Sequence, residues 1–236
     1  MKRHLSIWML MARSTIYQVL GLFLALAAAD GALFALALRQ GASALGLEQV
    51  LTESHLPAVF GAGLVLLTVV LCLNGCEFSA KQGYTLRRLR VSQREIFLWQ
   101  AVHNAMCYFL LLAVQTGIVL ALCRIYVARD PDMVNGQTVF LAFYRLPFLH
   151  SLLPLADVWR YVRNAVLCAA LGVCAAAFPA QQRQGNRGIA VVILTIPTAA
   201  FFAQQMASSD FGMIGAAVVI TAVALFNVSE VLHETA

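Results

Sequence analysis

Few side chains in this sequence are placed to do chemistry, and those few sit in apolar surroundings. Asp30 follows Ala27-Ala28-Ala29, Gln115 stands inside an apolar stretch, and Gln204 and Gln205 close another. A carboxylate within such a stretch is costly to bury and faces a protein interior or a cavity. Two readings of Asp30 follow. It contacts a substrate or a proton, or it lies near the headgroups or beside an arginine. Gln115 reads as a hydrogen-bonding partner for a neighbouring helix. Gln204 reads as a pathway residue, so Asp30, Gln115 and Gln204 are the candidate pathway set. His103 and Asn104 read as helix-packing residues. No catalytic constellation is visible: there is no H-E-x-x-H, no G-x-S-x-G and no G-x-x-x-x-G-K-[ST] phosphate loop. The six cysteines form no C-x-x-C pair and have no histidine at zinc-like spacing, so they read as small buried residues. The expectation is a chain that is not an enzyme and binds no cofactor or metal itself.

The densest polar information lies between residues 77 and 96, from Glu77 through Lys81, Gly83, Arg87, Arg88, Arg90 and Arg94 to Glu95 and Ile96. Five basic residues fall in the fourteen positions 81–94. Ser79 with Gln82, and Ser92 with Glu95, have the spacing of capping boxes, in which a hydroxyl caps the amide three residues on. The spacing predicts a short basic helix near 80–90, a break at Val91-Ser92, and then a long helix. Basic inner loops are common and anionic lipid attracts them. A short helix fixed to two spans is also a lever that a soluble partner can grip.

The elements that hold these residues follow from composition. Apolar residues make up 61% of the 236 and charged residues only 11%, against about 25% charged in soluble domains. So few charges cannot cover a water-facing surface, whereas lipid accepts an apolar one. The sequence predicts an all-α, polytopic membrane protein forming one domain over 1–236. Six spans are expected: Ser14–Leu38, Pro57–Glu77, Gln100–Cys123, Val158–Phe178, Ile189–Met206 and Phe211–Val228. Residues 1–13 are expected as an amphipathic interfacial helix, 79–97 as a cytoplasmic coupling segment and 124–157 as an outer segment. Within the last, Arg145, Pro147, His150 and Pro154 break an apolar run. That predicts a re-entrant or interfacial pair of short helices rather than a span. The apolar run from Ser14 to Leu38 is too long for a signal peptide and reads as a retained span. Arg160, Tyr161 and Arg163 read as an interfacial anchor of the fourth span, and Gly61, Gly63 and Gly172 as packing glycines. With ten of the sixteen Lys and Arg on the amino-terminal side, both termini are expected in the cytoplasm.

The stretch with Glu77 closing the second span, then Ser79-Ala80-Lys81-Gln82-Gly83-Tyr84-Thr85, then Arg87-Arg88-Leu89-Arg90-Val91-Ser92-Gln93-Arg94-Glu95-Ile96, resembles permease subunits of type-2 ATP-binding-cassette exporters. The resemblance implies an amino-terminal amphipathic helix, six spans, and a coupling helix between the second and third spans that docks on a separate cytoplasmic ATPase. It implies ATP and Mg on that partner, a second permease subunit, location in the cell membrane, and no nucleic-acid partner. The coupling residues would be Glu77, Lys81, Gly83, Arg87, Arg88, Arg90, Arg94 and Glu95. The family more often carries its re-entrant element between the fifth and sixth spans, where this chain has a short link near Ser208–Asp210. The substrate stays open among peptide, antibiotic, drug and lipid. Two other classes also stand: an ion-coupled secondary transporter using Asp30, and a non-transporting membrane assembly protein.

Overall fold

The computed structural model describes residues 2–39, 46–76, 92–129, 136–155, 157–182, 188–204 and 210–234. Every regular element among them is a helix: α1 (Lys2–Arg39), α2 (Leu47–Glu53), α3 (Leu56–Gly75), α4 (Gln93–Arg129), α5 (Gly136–Arg145), α6 (Pro147–Leu152), α7 (Val158–Gln182), α8 (Ala190–Gln204) and α9 (Asp210–Glu234). Five of them, α1, α3, α4, α7 and α9, are long and apolar enough to cross a membrane. In lipid no water is present to bond the backbone, so helices that satisfy it internally are what such apolar sequence forms. Leu24 is 71% exposed and Phe226 66%. Large apolar side chains turned outward in this way on successive helices face lipid, and the chain is a multi-pass membrane protein.

Helix lengths depart from the sequence expectation in physically simple ways. The interfacial helix expected over 1–13 and the span expected from Ser14 are one rod of 38 residues, about 57 Å long. Between Lys2 and Leu20 no glycine or proline interrupts it. At the expected junction Ser14 Oγ and Thr15 Oγ1 donate back to the Met11 carbonyl at 2.7 and 3.2 Å, inside the helix. The fourth span does not stop at Phe178. α7 runs through Pro179 to Gln182, because a proline this near a helix end removes only one backbone bond. Between the first two expected spans, Glu48 and Glu53 lie on the short helix α2, which buries Leu47, Val50 and Leu51. His55, in left-handed conformation at φ 50°, turns the chain from α2 into α3, where Pro57 occupies the first turn.

α4 has 37 residues, about 56 Å, and begins where the capping spacing placed it. The Glu95 N–H donates to Ser92 Oγ at 3.2 Å. We expect Ser92→Ala to cost about 1 kcal/mol, read as a lowered midpoint in detergent unfolding and faster amide exchange over residues 93–96.

The segment 124–157, expected on the outer side, contains two short helices, α5 with 10 residues and α6 with 6. At about 15 and 9 Å they are too short to span. α6 buries Phe148, Leu149 and Leu152, and Arg145 on α5 pairs with Glu48 on α2 at 3.4 Å.

Contacts fix the helix directions. Thr15 meets His103 and Asp30 meets Gln115, so α1 and α4 run parallel. Gln18 bonds Asn74 while Gly63 packs on Leu26, so α1 and α3 are antiparallel. Gly188, just before α8, lies against Phe178 and Gln181 of α7, and the far end of α8 places Phe201 beside Arg163. α8 is thus antiparallel to α7, and α9 starts back at the Arg163 end. α8 has 15 residues and contains Pro197; at about 22 Å it is shorter than the hydrocarbon core of about 30 Å. α4 and α7 approach closely at Gly172. A Cβ added at Gly172 would stand 2.6 Å from the Ala105 backbone nitrogen.

Candidate functional site

Two polar groupings lie inside this apolar bundle. The first joins α1 to α4. Asp30 and Gln115 are both completely buried, and Gln115 Nε2 donates to Asp30 Oδ2 at 2.8 Å. Asp30 Oδ1 and Gln115 Oε1 have no hydrogen-bond partner. Gln115 therefore bonds a neighbouring helix as its sequence position predicts, and the neighbour is the candidate carboxylate itself. Among the described residues Asp30 makes no ion pair with an arginine. Further along the same interface, Thr15 Oγ1 and His103 Nε2 are 2.9 Å apart, both side chains buried. His103 and Asn104 are interior packing residues of α4.

The second grouping lies at the opposite end of the bundle from Ser92. Arg163 is only 1% exposed, which overturns its reading as an interfacial anchor. Its Nη1 donates to Asp210 Oδ1 at 2.5 Å, and its Nε and Nη2 donate to Asn164 Oδ1 at 3.2 and 3.0 Å. Asn164 Nδ2 in turn donates to the Ser151 carbonyl at 2.7 Å. The Phe201 and Phe202 rings lie 4.8 and 5.8 Å from the guanidinium carbon, in cation–π range. Arg160 Nε lies 3.2 Å from Asp157 and 3.8 Å from Asp210. Asp157 also caps α7, accepting the Trp159 N–H at 3.1 Å. Two arginines and two aspartates balance one another and tie α6, α7, α8 and α9 together.

His150 flanks this cluster, its ring edge-on to Tyr144 at 5.6 Å. Partial burial, and then the nearby Arg160 charge, lower its imidazole from the usual range. The sequence signal for the cluster was the Asp157, Arg160, Arg163 spacing, which puts Arg160 and Arg163 one turn apart on α7 with Asp157 at its amino-terminal end. What it lacked was the partner at Asp210, 47 residues away from Arg163.

Beside the ionic cluster, a cavity of about 10 Å³ lies against Phe60, Tyr108, Leu111, Asn164, Thr198 and Phe202. It has room for about one water. Tyr108 Oη meets Thr68 Oγ1 at 2.7 Å and links α4 to α3. Cys76 Sγ donates to Gln182 Oε1 at 3.2 Å and links α3 to α7. All six cysteines are buried. Among the described residues no three His, Cys, Asp or Glu side chains converge to hold a metal.

The remaining candidates from sequence are spread apart. Gln204 is the last residue of α8. Of the coupling set, Arg94 and Glu95 stand in the first turn of α4, Arg94 exposed and Glu95 half-buried. Glu77, Lys81, Gly83, Arg87, Arg88 and Arg90 lie outside the described residues.

Fold and sites together define an all-helical, multi-pass membrane protein with a buried carboxyl–amide pair and a separate buried ionic cluster. No family model matches the chain, and neither does any curated protein or solved structure.

Proposed function

We propose that this chain is the membrane-spanning permease subunit of an ATP-driven exporter of the type-2 ATP-binding-cassette class. It works with a separate cytoplasmic ATPase subunit, which holds ATP and Mg, and with a second permease chain, either a copy or a sister. The observation that carries the reading is the join between the basic stretch 81–94 and α4. The stretch feeds through the Ser92 cap into a 37-residue helix. At about 56 Å this rod is longer than the hydrocarbon core. It packs along α7 and α1, so a pull at its basic end moves three spans together. In this reading the bundle crosses the cell membrane six times. α8 is the fifth crossing, the short helices α5 and α6 sit at or re-enter the outer face, and both termini are cytoplasmic. The cargo is a peptide, antibiotic, drug or lipid.

The test reverses the charge of Arg87, Arg88 and Arg90 together. We expect ATP hydrolysis by the co-purified ATPase to lose its substrate stimulation by about tenfold, with the spans still folded. Normal transport by that variant refutes the lever. So does labelling of thiols introduced at 80–95 from outside intact cells. The buried Asp30 favours a second reading, an ion-coupled transporter, which Asp30→Asn would inactivate in vesicles carrying a proton gradient but no ATPase.

A further inference from the structure

Asp30 and Gln115 raise a problem of hydrogen-bond arithmetic. Both side chains are completely buried, and one hydrogen bond joins them, from Gln115 Nε2 to Asp30 Oδ2 at 2.8 Å. The two atoms left without partners are Asp30 Oδ1 and Gln115 Oε1. Both are oxygens. In an ionised carboxylate and an amide both are acceptors, so neither satisfies the other. Leaving buried polar atoms unpaired is costly, and leaving a carboxylate charge there unpaired is costlier still.

Among the described residues no cation on the neighbouring elements removes that cost. Among the described residues the ion pairs involve Glu48, Asp157 and Asp210, and Asp30 is in none of them. Among the described residues, the elements that pack most extensively on α1 are α2, α3 and α4. α3 carries no charged residue from Leu56 to Gly75, and its titratable side chain is Cys72. α2 carries Glu48, engaged with Arg145, and Glu53. On α4 the titratable side chains flanking Gln115 are Tyr108, bonded to Thr68, and Cys123. The cations Arg124 on α4 and Arg39 on α1 lie nine residues beyond Gln115 and Asp30 respectively. A metal cation is a poor substitute, since a hard cation takes about six oxygen ligands and this pair offers two unpartnered ones.

A single proton resolves the whole deficit. Bound to Asp30 Oδ1, it turns that acceptor into a donor, and Gln115 Oε1 is the acceptor left over. Placed between those two oxygens, that O–H would complete a cyclic carboxylic acid–carboxamide pair beside the existing N–H···O bond. We propose that Asp30 and Gln115 form a proton-binding site inside the bilayer, with Asp30 carrying the proton while α1 and α4 are in contact. Separation of α1 from α4 breaks both hydrogen bonds and admits water. The O–H bond then breaks, its electron pair stays on Oδ1, and the proton passes to water. The site links protonation to the α1–α4 contact, and it stands under either functional reading above.

The test is infrared spectroscopy of the full-length protein in phosphatidylcholine vesicles at neutral pH. The expected result is a protonated-carboxyl C=O band that is lost in Asp30→Asn and displaced in Gln115→Leu, where the amide partner is gone. Incorporation of ¹³C-labelled aspartate into the unaltered chain shifts the same band, so the result does not depend on a variant folding. A wild-type spectrum at neutral pH without a protonated aspartic-acid band overturns the proposal, as does a band that Asp30→Asn leaves in place.

Discussion

Asp210→Ala is expected to destabilise the folded bundle by about 3–5 kcal/mol, the cost of leaving a buried charge without its partner. The charge in question is Arg163, which is 1% exposed, whereas Asp210 is 25% exposed. Removing the aspartate strands a guanidinium among Phe201, Phe202 and Asn164, with no carboxylate left in contact. The converse change behaves differently. Arg163→Met removes the buried charge and keeps an apolar stem in the same space. Asp210 then retains Arg160 at 3.8 Å and access to water. We therefore expect Arg163→Met to cost clearly less than Asp210→Ala, and the double variant to cost less than the sum of the two. Equilibrium unfolding in mixed micelles measures all three, and equal losses for the two single variants would show that the difference in burial between Arg163 and Asp210 does not set the cost. Arg163→Lys is no rescue, since an ammonium cannot reach Asp210 and the Asn164 oxygen with the planar fork that Arg163 uses.

Gly172→Ala is the second large effect expected. Its new methyl carbon would lie 2.6 Å from Ala105 N and 2.7 Å from Ala105 Cα and Cβ. Carbon contacts are optimal at about 3.5–4.0 Å, so α4 and α7 must part by about 1 Å. Because backbone is on the far side of the contact, no rotamer change relieves it. Overpacking of this kind costs about 1–3 kcal/mol, and small residues are what allow membrane helices to pack this closely. Gly63→Ala is the control. There the new carbon meets Leu26 Cδ2 and Cδ1 at 2.7 and 2.8 Å, the ends of a flexible side chain that can turn away. The thermal midpoint of the purified protein should fall well below wild type for Gly172→Ala and change little for Gly63→Ala. The reverse order would mean that the α4–α7 interface yields more easily than its backbone contact implies.

Both predictions concern residues whose importance the sequence conveyed unevenly. Gly172 was legible as a packing residue, because a glycine among alanines in an apolar span has few other uses. Its partner Ala105 was not, since any small residue on another helix would have served. Arg163 was legible as polar and misleading as to place. An arginine at the end of a span among Trp159 and Tyr161 has the pattern of an interfacial belt, and only a carboxylate brought from another helix makes its burial tolerable. Asp30 and Gln115 were each visible as odd polar residues in apolar helices. Nothing in the order of residues said that they meet. The lengths of α1 and α7 were underestimated for a related reason. Hydropathy marks where lipid is tolerated, while a helix continues for as long as its backbone bonds do, into polar sequence and past Pro179.

The primary structure by itself determined that this is an all-helical membrane protein, where its long apolar helices fall, and that Ser92 opens the longest rod after α1. Those properties are local: they depend on composition, on runs of apolar residues and on spacings of three or four. Only the tertiary structure decided which helices run side by side, that Arg163 is interior, that α8 returns along α7, and that two unpartnered oxygens lie on one buried pair. A helix apolar on nearly every side carries little record of which face turns inward. Rotation and register are therefore settled by the few cross-helix polar bonds and close approaches, each of which joins residues far apart in the chain.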